Sequence, residues 1–456
     1  MKRTPLQNDV VDSVDYPAIS KLILGIFALY IITFWLQLGL RREFFAAIRF
    51  EFILGAILGG LALFQLLTNK QSVTTDGRGI IVWCVGFIMV LGFSVPFAAN
   101  AEVAWNAYSN HILKDAVVTF LISQFVVSPL GVRVFLLASL VAFLKIGQEA
   151  FVGKLTGSMV WFSQGIPRLH GTQGTMFGHP NSLSGKTVMI IPFLWYLYPT
   201  LKSRLLVAAF ILQIVFVINI VVFTGSRTGY MAVIFAGLVI LLLSERRFRV
   251  FAYLALIALI TILATPLEYK ERFLSSFTGE EKEGRSSDAR LELLKDSVYV
   301  FVENPGGVGL KNFALVQQSE GRRAQDTHNL YTQILAETGI QGFLFFMGFI
   351  LTVLSKARSA IIRFRILLDS LQRLASDNEI RRPQINQDIE DARLMVAVSL
   401  AITAYILVRL VLGIFGHDLL EIYWWMAAGL VLSLLKVEAV MKQRISSYSN
   451  QSTSQN

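Results

Sequence analysis

Long apolar runs dominate this chain and decide its class before any motif is read. A helix needs about 20 apolar residues to cross a bilayer. Runs of that kind centre on Leu22–Leu40, Phe52–Leu67, Ile80–Ala99, Ala116–Leu130, Val134–Phe143, Thr187–Tyr198, Leu205–Phe223, Gly229–Leu243, Phe251–Ala264, Ile340–Leu354, Leu394–Phe415 and Leu419–Leu435. The expected fold is an all-α polytopic membrane protein with about twelve transmembrane helices. Composition agrees: of 456 residues 54% are hydrophobic and 16% charged, with a mean hydropathy of +0.58. Soluble domains carry about 25% charged residues. A disordered chain, a secreted disulfide scaffold and an ordinary soluble enzyme are excluded. The single cysteine, Cys84, allows neither an intramolecular disulfide nor a CxxC motif.

The net charge of +10 does not point to nucleic acid, because Lys and Arg gather on cytoplasmic loops of membrane proteins. With twelve spans (about 20 residues each), Lys70 and Arg78, Arg133, Lys202 and Arg204, and Arg246, Arg247 and Arg249 fall on one side. Lys356, Arg358, Arg363, Arg365, Arg373, Arg381 and Arg382 join them, as do both termini with Lys2, Arg3, Lys436, Lys442 and Arg444. That side is read as cytoplasmic. Arg41, Arg42 and Arg49 run against the pattern. Met1–Ser20 is polar and lacks the features of a cleaved signal peptide, so the first apolar run is read as a retained helix.

The chain then divides into four parts. Residues 1–266 hold spans one to nine, with an external loop at 147–185. Residues 267–338 form a large external helical loop. Residues 339–435 hold spans ten to twelve, with a charged cytoplasmic hairpin at 355–391 that breaks near Arg382–Pro383. The Ser-, Gln- and Asn-rich tail within 436–456 is expected to be disordered from Ser446 to Asn456.

Long external loops are usually functional or disordered, and these two are rich in signals. In the larger one, Ser286-Ser287-Asp288 opens a helix whose apolar positions are Leu291, Leu294, Val298 and Phe301. It stops at Asn304-Pro305-Gly306-Gly307, and Gly309 follows. Gln317–Asp326 reads as mobile. Thr327 then caps a second helix, His328–Glu337, that ends at Gly339. Arg290 and His328 each lie near a helix start, where free N–H groups suit an anion. Histidine is the commonest general base at neutral pH, so His328 is a candidate for that role; its alternative role is local capping. Between spans seven and eight, Gly225-Ser226-Arg227-Thr228-Gly229 sets an arginine at the membrane edge between two glycines, a functional candidate. The smaller loop offers Pro167-Arg168-Leu169-His170-Gly171 and Phe177-Gly178-His179-Pro180-Asn181-Ser182, read as a re-entrant or external loop over a cavity. No Asp or Glu lies between Phe151 and Arg204, so His170 and His179 lack the partners of a metal site. Arg168, Arg227, Arg290 and His328 together suit a diphosphate, since a guanidinium grips two oxygens at once. A lipid diphosphate presents such a group at the membrane surface.

Three stretches, Phe223–Ala232, Arg285–Phe313 and Thr327–Phe346, resemble the O-antigen ligase/polymerase superfamily of bacterial envelope proteins. Arg168–Ser184 is similar to the family's preceding external loop. The resemblance covers Pro167–Phe346. It implies a GT-C-like glycosyltransferase of the bacterial inner membrane, active on the periplasmic side in lipopolysaccharide assembly. The implied donor is an undecaprenyl-diphosphate-linked glycan, and the implied acceptor of a ligase is lipid A–core. A polymerase would instead join lipid-linked repeat units. No cofactor and no metal are implied. On this resemblance His328, Arg227 and Arg290 are catalytic, His328 as the base. Arg168, His179, Asn181, Asn329 and Tyr331 complete substrate binding. A transporter of an anionic solute is the reading from another class. Its ionisable groups would lie mid-span, where Lys114, Asp115 and Arg409 look peripheral or structural.

Overall fold

The computed structural model describes residues 15–68, 75–278, 286–377, 382–416 and 419–453. Lys2, Arg3, Lys70, Arg285 and Arg381, named above, lie outside them. In chain order the helices and strands are α1 (Lys21–Leu36), α2 (Phe50–Thr68), α3 (Arg78–Ser94), α4 (Lys114–Phe125), α5 (Pro129–Thr156), β1 (Val160–Ser163), β2 (Ile166–Leu169), α6 (Pro180–Val188) and α7 (Ile191–Leu197). There follow α8 (Arg204–Phe223), α9 (Arg227–Leu243), α10 (Arg247–Ala264), α11 (Leu267–Thr278), α12 (Ser286–Glu303), α13 (Phe313–Ser319), α14 (Leu330–Asp377), α15 (Arg382–Leu412) and α16 (Tyr423–Thr453). The chain is a multi-pass bundle of membrane helices.

Among the described residues eight helices are long and apolar enough to cross a membrane: α2, α3, α5, α8, α10, α14, α15 and α16. The apolar α1 and α9 are shorter. The other two runs fold differently. Ala116–Leu130 is divided at Phe125, where α4 stops; α4 is itself the continuation of a helix at Ala101–Ala107 through a π-helical turn at Tyr108–Leu113. Pro129 then opens α5, with the Ser128 hydroxyl accepting from Gly131 N at 3.1 Å. Proline is tolerated at a first helical position because no donor is lost there. Thr187–Tyr198 is broken between α6 and α7, where Pro192 enters the second helix. Conversely Val134–Phe143 lies inside the 28-residue α5, which carries Gly147–Thr156 of the expected loop as helix.

The core sits between α14, α15 and α16. Trp424, Trp425, Phe346 and Phe349 are buried there beside Phe87 of α3, with ring centroids 5.4 Å apart for Phe346–Trp424 and 5.6 Å for Phe349–Trp425. At the other extreme, α10 buries only Val250 and turns its Leu and Ile side chains outward, as a span facing lipid does. The hairpin at 355–391 is the continuation of α14 and the start of α15, which pack together. The tail differs from expectation. Helix α16 continues to Thr453, and the buried Tyr448 donates to Asp388 Oδ2 at 2.7 Å. An aromatic anchor overrides the polar composition; residues 454–456 lie outside the described part.

Ion pairs cluster at one end of the bundle. Arg133 meets Asp391 at 2.6 Å, Lys356 meets Asp76 at 3.3 Å and Arg444 meets Asp388 at 3.2 Å. Arg41, which broke the charge pattern, stands at the other end. It pairs with Glu149 of α5.

Candidate active site

Gln164 and Gly165 both adopt positive φ, +56° and +79°, so β1 and β2 close as a two-residue hairpin of the kind that matches strand twist. In its register Trp161 faces Arg168. The side chain of Arg168 is 1% exposed. Its Nε donates to Thr224 O at 2.7 Å, one terminal nitrogen to Gln164 Oε1 at 3.1 Å and the other to Asn181 Oδ1 at 2.6 Å. The hairpin, the end of α8 and the start of α6 are thus tied by one guanidinium.

The next residues turn the chain from α8 into α9. Gly225 has φ +55°, and a Cβ there would meet Ile166 Cδ1 at 2.6 Å. Ser226 caps α9 by accepting from Gly229 N at 3.1 Å, which puts Arg227 at the first helical position. A Cβ on Gly229 would strike Ser184 Oγ of α6 at 2.0 Å. The flanking glycines therefore admit other protein segments.

Arg272 of α11 was not singled out in the sequence. Its Nε donates to Gly225 O at 2.8 Å, and another nitrogen donates to Gln164 Oε1. Burial and the charges of Arg272 and Arg227 pull the Arg168 guanidinium down to about 10, so the charges of two further arginines reach it at this turn. Burial and the Arg168 charge hold the His179 imidazole below its usual range. A neutral imidazole is an acceptor, and its Nδ1 accepts from Asn181 N at 3.2 Å to cap α6. Arg168, Arg227, His179 and Asn181 are thereby brought together. His170 instead stacks on Trp161 at 4.6 Å.

Arg290, His328, Asn329 and Tyr331 belong to a second group, built on α12 and α14. Helix α12 faces inward through Leu293, Ser297 and Val300, and Leu291 and Val298 are exposed. The expected apolar face is rotated because the docking surface is Ala336, Val308 and Phe313. Arg290, in the first turns of α12, is half-buried. The segment expected to be mobile is pinned: Arg322 pairs with Asp296 at 3.1 Å and Lys311 with Asp326 at 3.0 Å.

The cap before His328's helix is also reassigned. Asn329, not Thr327, receives the first donors, from Tyr331 N at 2.9 Å and Thr332 N at 3.1 Å. Its amide donates to Ile414 O at 3.2 Å, Leu330 N to Gly413 O at 2.6 Å, and the Tyr331 hydroxyl to Leu410 O at 2.6 Å. Asn329 and Tyr331 are thus engaged in fixing the chain around His328. The imidazole itself is half-buried, with Nε2 3.1 Å from Gln325 Nε2.

Gly339 does not end α14. It kinks the helix with φ +69° and ψ −175°, and the helix continues into a span. The Pro305–Gly309 turn docks on this kink. Val308 N donates to Ala336 O at 2.9 Å, Gly309 N to Glu337 O at 2.8 Å and Ile340 N to Pro305 O at 3.1 Å. Cβ atoms on Gly307 and Gly339 would lie 2.5 Å from Gly339 N and 2.4 Å from Gly306 C. Only glycine allows this contact of backbone on backbone.

Chemically, Arg227 at a helix start with the charges of Arg168 and Arg272 behind it suits a dianion, and an imidazole on a fixed loop suits proton removal. Among the described residues no group of three or more His, Cys, Asp or Glu is placed to hold a metal. Residues 212–347 match the family model described as O-antigen ligase. The match includes Arg227, Arg272, Arg290 and His328 and stops short of the Arg168 hairpin. A search of the curated proteins returned no match.

Proposed function

We propose, from the match of residues 212–347 to the family model described as O-antigen ligase, that this chain is an inner-membrane glycosyltransferase of that superfamily. It moves a glycan from an undecaprenyl-diphosphate carrier to an acceptor hydroxyl on the periplasmic face. The acceptor we favour is lipid A–core, which makes it an O-antigen ligase. The observation that carries the reading is the gathering of Arg168, Arg227 and Arg272 around the start of α9.

In the proposed reaction the acceptor oxygen attacks the anomeric carbon of the donor sugar. The bond from that carbon to the diphosphate oxygen breaks, and its electron pair leaves with the polyprenyl diphosphate. Arg227, Arg290 and Arg272 balance the growing negative charge, which is where electrostatic stabilisation gains most. His328 takes the proton from the hydroxyl. Arg168, fully enclosed, holds the turn that presents Arg227. Asn181 and His179 keep α6 against it, and Asn329 and Tyr331 fix His328. Because the diphosphate leaves as a stable anion, neither a carboxylic acid nor a metal is needed to protonate or polarise it.

The test is transfer in reconstituted vesicles supplied with lipid-linked glycan and lipid A–core. Arg227→Ala, Arg290→Ala and His328→Ala are each expected to abolish transfer while the protein stays folded in the membrane. Full activity in all three overturns the assignment. Chelation is expected to leave the rate unchanged, and inhibition reversed by a divalent cation overturns the metal-free scheme. Products lengthened on the carrier, with lipid A–core untouched, identify a repeat-unit polymerase instead.

A further inference from the structure

At the end of α8 remote from the arginines a different site opens. A cavity of about 670 Å³ runs between α5, α7, α8, α15 and α16. Its walls are apolar, with Phe135, Phe193, Phe210, Ile402, Met426 and Leu430 among them. Its mouth at that end is charged, carrying Arg133, Lys202, Glu390 and Arg393. Arg133 is paired with Asp391 at 2.6 Å and Lys202 with Glu390. Arg393 is exposed and makes no ion pair among the described residues, so the mouth keeps an uncompensated positive charge.

Two polar groups inside the cavity have no hydrogen-bond partner among the described residues. Gln213, 1% exposed, leaves both its amide nitrogen and its amide oxygen unpaired, and Ser139 leaves its hydroxyl unpaired. An orphaned amide in an apolar setting is costly and marks a place where an occupant supplies the partner. Ser139 stands six residues beyond Arg133 on α5, ~9 Å along the helix. Gln213 faces the same space from α8.

We propose that this cavity holds an anionic glycerophospholipid of the leaflet opposite the arginine cluster. Its phosphate sits at Arg393 and the neighbouring cations, its ester oxygens meet Ser139 and Gln213, and its acyl chains fill the apolar walls. A polyisoprenoid tail fits the walls and leaves both polar groups unpaired. A zwitterionic lipid leaves the extra positive charge unmatched. The inference does not depend on the transfer reaction, because the site is formed at the other end of the bundle.

The experiment is lipid extraction and mass spectrometry of the full chain purified in mild detergent, with phosphatidylglycerol as the added probe. Wild type is expected to retain about one anionic phospholipid per chain and to gain thermal stability when the probe is added, since a ligand of the folded state stabilises it. Arg393→Glu is expected to lower retention roughly tenfold, the size of a lost charge-assisted bond. Ala427→Phe, which fills the wall, is expected to do the same, and Arg358→Glu, on the exposed face of α14, changes nothing. A polyprenyl or zwitterionic lipid as the retained species, an empty cavity, or undiminished retention in Arg393→Glu overturns the proposal, and each can be read while transfer activity is intact.

Discussion

Around Gly225, side chains hold backbone: Arg168 and Arg272 donate to the carbonyls of Thr224 and Gly225. Around Gly339, backbone holds backbone, through glycines that leave no room for a Cβ. On the proposed function, the first arrangement keeps charge close to the diphosphate through side chains that can adjust. The second cannot adjust, which suits a loop that keeps the proposed base in one place. The difference predicts separate failure modes for the two halves of the site.

The largest effects are expected where side chains meet the reaction. Arg227→Ala should lower the transfer rate by roughly 10²–10³-fold, the usual loss for one oxyanion-stabilising donor. His328→Ala should cost roughly 10²–10⁴-fold. In both variants the melting temperature should stay near wild type. If Arg227→Ala instead lowers stability and leaves the rate of the surviving protein intact, the charged half is structural too and the contrast collapses.

Next come the glycines, where the readout shifts from rate to folded protein. Gly307→Ala combines a φ of +84° with a Cβ 2.5 Å from Gly339 N, and neither backbone can yield. Little monodisperse protein should be recovered. Gly225→Ala meets the flexible end of Ile166, so most of the protein should fold with a lowered melting temperature. Equal recovery of the two variants would remove the distinction between rigid and adjustable halves.

These contrasts also explain what could be read in the chain before its structure. Span positions are legible because apolar length is a local property, so α8, α9 and α10 fall where the runs predict. The break at Val188–Ile191 and the stop at Phe125 depend on prolines whose effect is decided by neighbouring helices. The β1–β2 hairpin carried only a short signal, a Gln164-Gly165 turn between Val160–Phe162 and Ile166–Leu169, that a search for membrane spans passes over. Arg227, Arg290 and His328 stand out because unusual residues surround them. Arg272 lies in an ordinary amphipathic stretch, and only the packing of α11 on α9 brings it to Gly225. The rotated face of α12 is of the same kind: Leu291 and Leu293 are equally apolar, and only the partner surface chooses between them.

A smaller effect should follow from Tyr331→Phe. The hydroxyl bond to Leu410 O at 2.6 Å is worth ~1 kcal/mol. Its loss should leave the fold intact and loosen the His328 loop. The rate should fall by a few-fold with an unchanged donor KM, because the hydroxyl fixes the His328 loop and none of the arginines assigned to the diphosphate. A raised donor KM would show instead that Tyr331 also helps to hold the donor.

The smallest effect is the pH dependence of the α6 cap. His179 is held below its usual range by burial and by Arg168, so the folded chain resists protonation there. The unfolded chain takes the proton near the ordinary value of about 6.5. Below that pH the unfolded state binds more protons, and stability must fall as pH falls until the folded pKa is reached. Asparagine caps a helix about as well and does not titrate. His179→Asn should match wild type at pH 7 and lose less stability on acidification, as followed by the melting temperature in detergent. A parallel decline in both proteins would mean that the neutral cap does not tie α6 to the arginine group, and that Asn181 alone makes that link.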